Sequence, residues 1–223
     1  MHYTAFFLAA ASPLAAAAAA AAVLGRRADC APTHLLVARG SNERPGYGIL
    51  QSLASSIVEA NDGATMEPIN YPAKLRPYGP SVSAGVDAVK KQLSDYVQAC
   101  PDAKILLLGY SQGANIIGDA LCGGNTGGQG PDTDPIGGDI SSHVAAVVWY
   151  GDPRHNAGKS FDKGTAQTDG INARTDNQSC DAFASVIASY CDIGDPFCAG
   201  GNDVGVHFGY PRKYDGDATE FVT

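Results

Sequence analysis

Gly109-Tyr110-Ser111-Gln112-Gly113 is the stretch of this 223-residue chain whose residue types and spacing could do chemistry by themselves. It directly follows the most apolar run, Ile105-Leu106-Leu107-Leu108, and opens a helical pattern. In a strand-turn-helix, small residues at 109 and 113 permit a tight turn that lifts the Ser111 hydroxyl off the sheet, as a nucleophilic serine requires. That hydroxyl is a poor nucleophile until a histidine takes its proton and a carboxylate steadies the histidine, in the chain order Ser, Asp, His. His34 precedes the serine, and His143 stands just before a strand, at the wrong sheet end. His155 lies three residues past Asp152, too close to its strand for another carboxylate-bearing strand to intervene. His207 remains, on the last loop before a short C-terminal helix, with Asp195 twelve residues upstream; Asp152, in the turn Gly151-Asp152-Pro153, is the second choice of acid. An oxyanion needs two N–H donors, which Gln112, just after the serine, and Ser41, in the loop Arg39-Gly40-Ser41, are placed to supply. Cys191 and Cys198 bracket Asp195, as a clamp on that carboxylate would.

These residues need a scaffold, and the apolar pattern describes one. His34 to Ala38, Thr65 to Ile69, Ile105 to Leu108, Val144 to Trp149 and Ser185 to Tyr190 read as five strands, two of them apolar on both faces as in a buried parallel sheet. Between them, apolar residues recur at helical spacing over 49–58, 82–99 and 114–121. Strand and helix alternate, which predicts one doubly wound α/β domain with its reactive groups at the carboxyl ends of the strands.

Residues 1–24 carry no Lys, Arg, Asp or Glu and run apolar through the Ala15 to Ala22 tract, as a secretory signal peptide does. Arg26-Arg27 resembles a dibasic processing site; removal of residues 1–27, with those two arginines, would leave 196 residues of formal charge −10, residues 28–223 forming the single domain. All six cysteines, Cys30, Cys100, Cys122, Cys180, Cys191 and Cys198, lie in that part. An even count behind an export signal predicts three disulfides and an oxidising, extracellular compartment. No Cys-x-x-Cys pair and no His-Glu-x-x-His run occurs, so neither a metal nor another cofactor is expected. With 15 Lys and Arg against 23 Asp and Glu, and a formal charge of −8, the chain would repel nucleic acid and anionic membranes. A neutral substrate, met by a monomer, is the expectation.

Ala38-Arg39-Gly40-Ser41, Gly109 to Gly113, Cys191-Asp192-Ile193-Gly194-Asp195-Pro196-Phe197-Cys198 and His207 together resemble the cutinase and acetylxylan esterase family of fungal secreted serine esterases. The resemblance implies a lidless α/β-hydrolase of five parallel strands, a triad Ser111, Asp195 and His207, and an oxyanion hole at Ser41 and Gln112. It also implies the pairings Cys30–Cys100, Cys122–Cys180 and Cys191–Cys198. Pro45-Gly46-Tyr47-Gly48, Ile69-Asn70-Tyr71-Pro72-Ala73 and Leu121-Cys122-Gly123-Gly124 are nearer the acetylxylan esterase branch, whose substrate is an esterified plant cell-wall polysaccharide; a cutinase or polyester hydrolase is the alternative. A different class, a non-catalytic secreted effector on an esterase scaffold, would keep the fold without the chemistry.

Overall fold

A computed structural model describes residues 30–124 and 132–223. The proposed leader, 1–27, and its processing site lie outside the described residues.

The strands are β1 (Thr33–Ala38), β2 (Thr65–Pro68), β3 (Lys104–Tyr110), β4 (Val144–Tyr150), β5 (Asp162–Gly164) and β6 (Ile187–Cys191). They form one all-parallel sheet in the order β2-β1-β3-β4-β6-β5. The helices are α1 (Gln51–Ala60), α2 (Tyr78–Ala99), α3 (Gln112–Cys122), α4 (Gly138–Ser141), α5 (Val204–Phe208) and α6 (Tyr210–Val222). On one face of the sheet Leu35, Val37, Leu106, Leu108 and Val148 pack with Leu53 and Ile57 of α1 and Tyr210, Tyr214 and Ala218 of α6. The alternate residues Leu36, Leu107 and Val147 are equally buried on the opposite face, where α2 and α3 pack together and α3 lies against β1, β3 and β4. Burial on both faces is why the central strands read as unbroken apolar runs. The chain turns in opposite directions from β1 and from β3, so the crevice of this doubly wound sheet opens between their carboxyl ends.

The sheet has six strands where the apolar pattern indicates five. The extra one, Asp162-Lys163-Gly164, is a three-residue polar edge strand hydrogen-bonded to β6. It carries no apolar alternation because neither face is buried in the core. Its end is fastened by Thr165, whose N–H and hydroxyl both donate to Asp192 Oδ1. A second difference lies at the C-terminus. His207 sits within α5 rather than on a loop, started by the Asp203 carboxylate accepting from the Gly205 N–H at 2.8 Å, and α6 runs for 13 residues.

Candidate active site

Ser111 links β3 to α3 at φ 54° and ψ −117°, a conformation L-residues seldom adopt. Its N–H donates to the Tyr150 carbonyl of β4 at 2.8 Å, and its carbonyl accepts from the Asn115 N–H at 3.1 Å, so strand and helix hold the turn from both sides. Gly109 and Gly113 are required by contact. A Cβ at 109 would stand 2.7 Å from Ala114 Cα, and one at 113 only 1.9 Å from the Ala38 carbonyl oxygen.

Asp195 and His207 meet at the end of β6. His207 Nδ1 and Asp195 Oδ2 are 2.8 Å apart, both residues buried. The same Oδ2 accepts from the Tyr210 hydroxyl at 2.7 Å, while Oδ1 accepts from the N–H groups of Phe197 (2.7 Å) and Cys198 (3.1 Å). Burial opposes the ionised form of Asp195, but the hydrogen bonds from His207, Tyr210 and Phe197 outweigh it and hold the carboxyl below its usual range. The Cys191–Cys198 disulfide closes the turn that presents this carboxylate. Burial and the neighbouring Asp195 push the Tyr210 phenol far above its ordinary range, so it stays a donor. With Nδ1 engaged, Nε2 is the imidazole nitrogen left for a serine proton. The ring is seated by Phe197 (centroids 4.5 Å apart) and Tyr110 (5.0 Å), and by Gly151, where a Cβ would come 2.8 Å from the imidazole.

The loop after β1 is stitched to its neighbours. Arg39, buried, donates to the carbonyls of Glu43 (3.1 Å), Ile69 (3.3 Å) and Tyr71 (2.6 Å), and the Tyr71 hydroxyl returns a bond to the Arg39 carbonyl at 2.5 Å. Glu43 accepts from the N–H groups of Gly40 (2.6 Å) and Ile49 (2.8 Å). The Gln112 side chain accepts from Ser81 Oγ at 2.9 Å and donates to the Lys74 carbonyl at 3.0 Å. Ser41 and the residue before Gln112 are thereby carried on two rigid segments. No sequence motif marks Arg39, Glu43, Tyr71 or Tyr210 for these contacts, which only the folded chain brings together.

Ser41, Tyr110, Ser111 and His207 line one open crevice of about 550 Å³. Leu75, Ile171, Val204 and Phe208, all exposed, form its apolar rim. The other candidates lie apart from it. Asp152, the second choice of acid, is buried at the end of β4 and accepts from the Arg154 N–H at 2.9 Å; burial raises its pKa, and Asp195 takes the histidine. His155 Nδ1 faces Asp162 Oδ1 at 3.5 Å, and His143 Nδ1 lies 3.4 Å from the Ala103 carbonyl. Cys122 pairs with Cys180, and Cys30 and Cys100 are disulfide-bonded as well. No described helix is long and apolar enough to cross a membrane.

A parallel doubly wound sheet with a strained serine between β3 and α3, and a carboxylate-bound histidine following the last strand, defines an α/β-hydrolase. The family description Cutinase matches residues 29–223. Acetylxylan esterase from Hypocrea jecorina is 36% identical over 205 residues, 88% of this chain and 68% of that protein. Acetylxylan esterase 2 from Talaromyces purpureogenus is also 36% identical, over 88% of this chain and 87% of its own length. Among solved structures, an acetylxylan esterase at 0.90 Å resolution superposes with a TM-score of 0.82 at 36% identity, covering 86% of this chain and 97% of its own. The chain belongs to the cutinase family and is a carboxylic-ester hydrolase.

Proposed function

We propose that the protein is a secreted, monomeric serine esterase that removes acetyl groups from acetylated xylan, with Ser111, His207 and Asp195 as its catalytic groups. The observation that carries this reading is the 2.8 Å contact between the buried Asp195 and His207, which lines the same crevice as Ser111. His207 Nε2 takes the proton of Ser111 as Oγ attacks the ester carbonyl. The N–H groups of Gln112 and Ser41 receive the oxyanion, Asp195 steadies the imidazolium, and the proton passes to the departing sugar oxygen, which leaves as the free hydroxyl. Water, deprotonated by His207, then attacks the acyl-enzyme, and acetate leaves as the proton returns to Ser111 Oγ. The segment 1–27 is read as the export leader.

The apolar rim favours one competing reading, a polyester hydrolase that seats longer acyl chains along Leu75, Val204 and Phe208. Rates on p-nitrophenyl acetate, butyrate and palmitate, measured beside acetate release from acetylated xylan, separate the two. The expected result is acetate release from the polysaccharide, with rates falling beyond butyrate. Palmitate turned over fastest, with no acetate from xylan, would overturn the xylan assignment.

Tyr210 is assigned a positioning role. Tyr210→Phe removes one of four hydrogen bonds to Asp195, and with it the acceptor of the Asp192 N–H at 3.1 Å, but keeps the ring between Tyr150 and Tyr214, whose centroids lie 5.7 and 6.2 Å away. Loss of one charge-assisted bond, roughly 1.5–3 kcal/mol in general, predicts a fall in kcat of about tenfold or more with KM unchanged. Stability responds with a definite sign. A depressed folded-state carboxyl pKa contributes stability above the unfolded value that is lost as pH falls through the folded one, so the variant should unfold at a higher pH on acidification. An intact kcat beside a shifted acid midpoint would reduce Tyr210 to a structural residue.

A further inference from the structure

Away from the crevice, eight of the nine buried side-chain nitrogens and oxygens without a hydrogen-bond partner among the described residues lie on Trp149, Arg154, His155, Asp162 and Arg174. Two close contacts account for part of them: Arg154 Nε is 3.1 Å from Asp119 Oδ1, and His155 Nδ1 is 3.5 Å from Asp162 Oδ1. That leaves Trp149 Nε1, Arg154 Nη1, Arg174 Nε and Nη2, and His155 Nε2. The first four can only donate. Their residues, all buried, line a cavity of about 40 Å³, with Asp152 in its wall. At roughly 10–15 Å³ per water-sized probe, that is room for about three waters or one ion of halide size.

The chemistry of the walls discriminates between those occupants. Asp119 already accepts from Arg174 at 2.9 Å and from Asn115 at 2.8 Å, Gln178 accepts from Arg154 Nη2, and Asp152 Oδ1 accepts from the Arg154 N–H. Asn156, Thr175, Asp176, Ser179 and Ser189 supply acceptors elsewhere in the lining, but Trp149 Nε1, Arg154 Nη1 and Arg174 Nε and Nη2 can only donate, and one anion accepts from all four. Two buried guanidinium groups share the one Asp119 carboxylate, and Asp152 takes its hydrogen bond from the Arg154 main chain. Lys159 and Asp176 complete the charged lining, and Lys159 is paired with the exposed Asp181 at 2.9 Å. Gly118 makes room for the arrangement, since a Cβ there would fall 2.1 Å from Arg174 Nη2.

We propose that this cavity binds one small monovalent anion of halide size, which bridges Arg154, just past β4, and Arg174, on the loop that leads to Cys180. The bridge fastens the segment between them, whose Ile171 and Asn172, with Pro153 just before Arg154, form one wall of the crevice. Bromide is the probe. In crystals grown in sodium bromide, an anomalous peak is expected within hydrogen-bond reach of Arg154 Nη1 and Trp149 Nε1. In solution, replacing gluconate by bromide at equal ionic strength should raise the Tm of the protein by about 2–4 °C relative to the same exchange in Arg154→Met. Because Arg154→Met leaves Asp119 short of a partner and can unfold the chain, Trp149→Phe serves as the second variant. It deletes one donor only and should raise the half-saturating bromide concentration several-fold. A map with water alone in the cavity, bromide confined to the surface, or equal salt responses in the protein and in both variants would each overturn the proposal.

Discussion

Ser111→Ala is expected to lower turnover of p-nitrophenyl acetate by at least about 10⁴-fold while Tm stays within a few degrees of the unmodified protein. Both halves of that expectation come from the turn. Serine at φ 54° and ψ −117° is strained because of its Cβ, and alanine carries the same Cβ into the same conformation, so the strain neither grows nor relaxes. The N–H bond to Tyr150 and the carbonyl bond from Asn115 are main-chain bonds and survive the change. What disappears is the hydroxyl, and with it the acyl-enzyme. Residual activity should be that of an oxyanion site without a nucleophile, and a fluorophosphonate that labels the parent protein at Ser111 should leave the variant unlabelled. Retained turnover with an intact fold would remove Ser111 from the mechanism and reopen the reading of a non-catalytic esterase scaffold.

How far the sequence reveals this arrangement depends on the range over which each feature is encoded. The serine turn is local: an apolar strand, two glycines and a helix start lie within nine residues, and the structure puts Ser111 at that junction. Asp195 and His207 are twelve residues apart, close enough for chain order and strand placement to pair them, and the structure joins them. Tyr210 escaped because its partner is set by the break between α5 and α6 at Gly209, which returns a residue three places past the histidine to the same carboxylate. The stitching of Arg39 to Ile69 and Tyr71, and the gathering of Asp119, Arg154 and Arg174, span 30 residues or more, and no local pattern records them. Charged residues in Gly- and Asp-rich loops read as solvated, yet Arg154 is completely buried because a strand end and two loops close over it. The three-residue strand β5 has no apolar period, so only its ladder with β6 shows it.

Glycine to alanine should act with opposite signs at two helical positions, and the difference measures how tightly the serine turn is built. In α6, Gly216 is exposed and an added Cβ would meet nothing within 4 Å. There, helix propensity acts alone, and Gly216→Ala should stabilise by about 0.5–1 kcal/mol. In α3 the same propensity gain exists at Gly113, but a Cβ would stand 1.9 Å from the Ala38 carbonyl oxygen, 2.5 Å from its carbon and 2.7 Å from the Arg39 oxygen. All three are main-chain atoms of β1 and the loop after it, so no side chain can rotate aside. Relief requires α3 to back away from β1 by more than an ångström, through a helix whose every residue from Gln112 to Leu121 is buried. Interiors packed to crystal density resist such shifts, and overpacking typically costs about 1–3 kcal/mol, more where backbone must move. Gly113→Ala is therefore expected to destabilise by at least about 3 kcal/mol in urea unfolding. Any folded fraction should lose kcat, because the shift carries the Gln112 N–H away from Ser41. A stabilised or unchanged Gly113→Ala, matching Gly216→Ala, would mean that α3 does not press on β1 and that the two proposed oxyanion donors are not held by this contact.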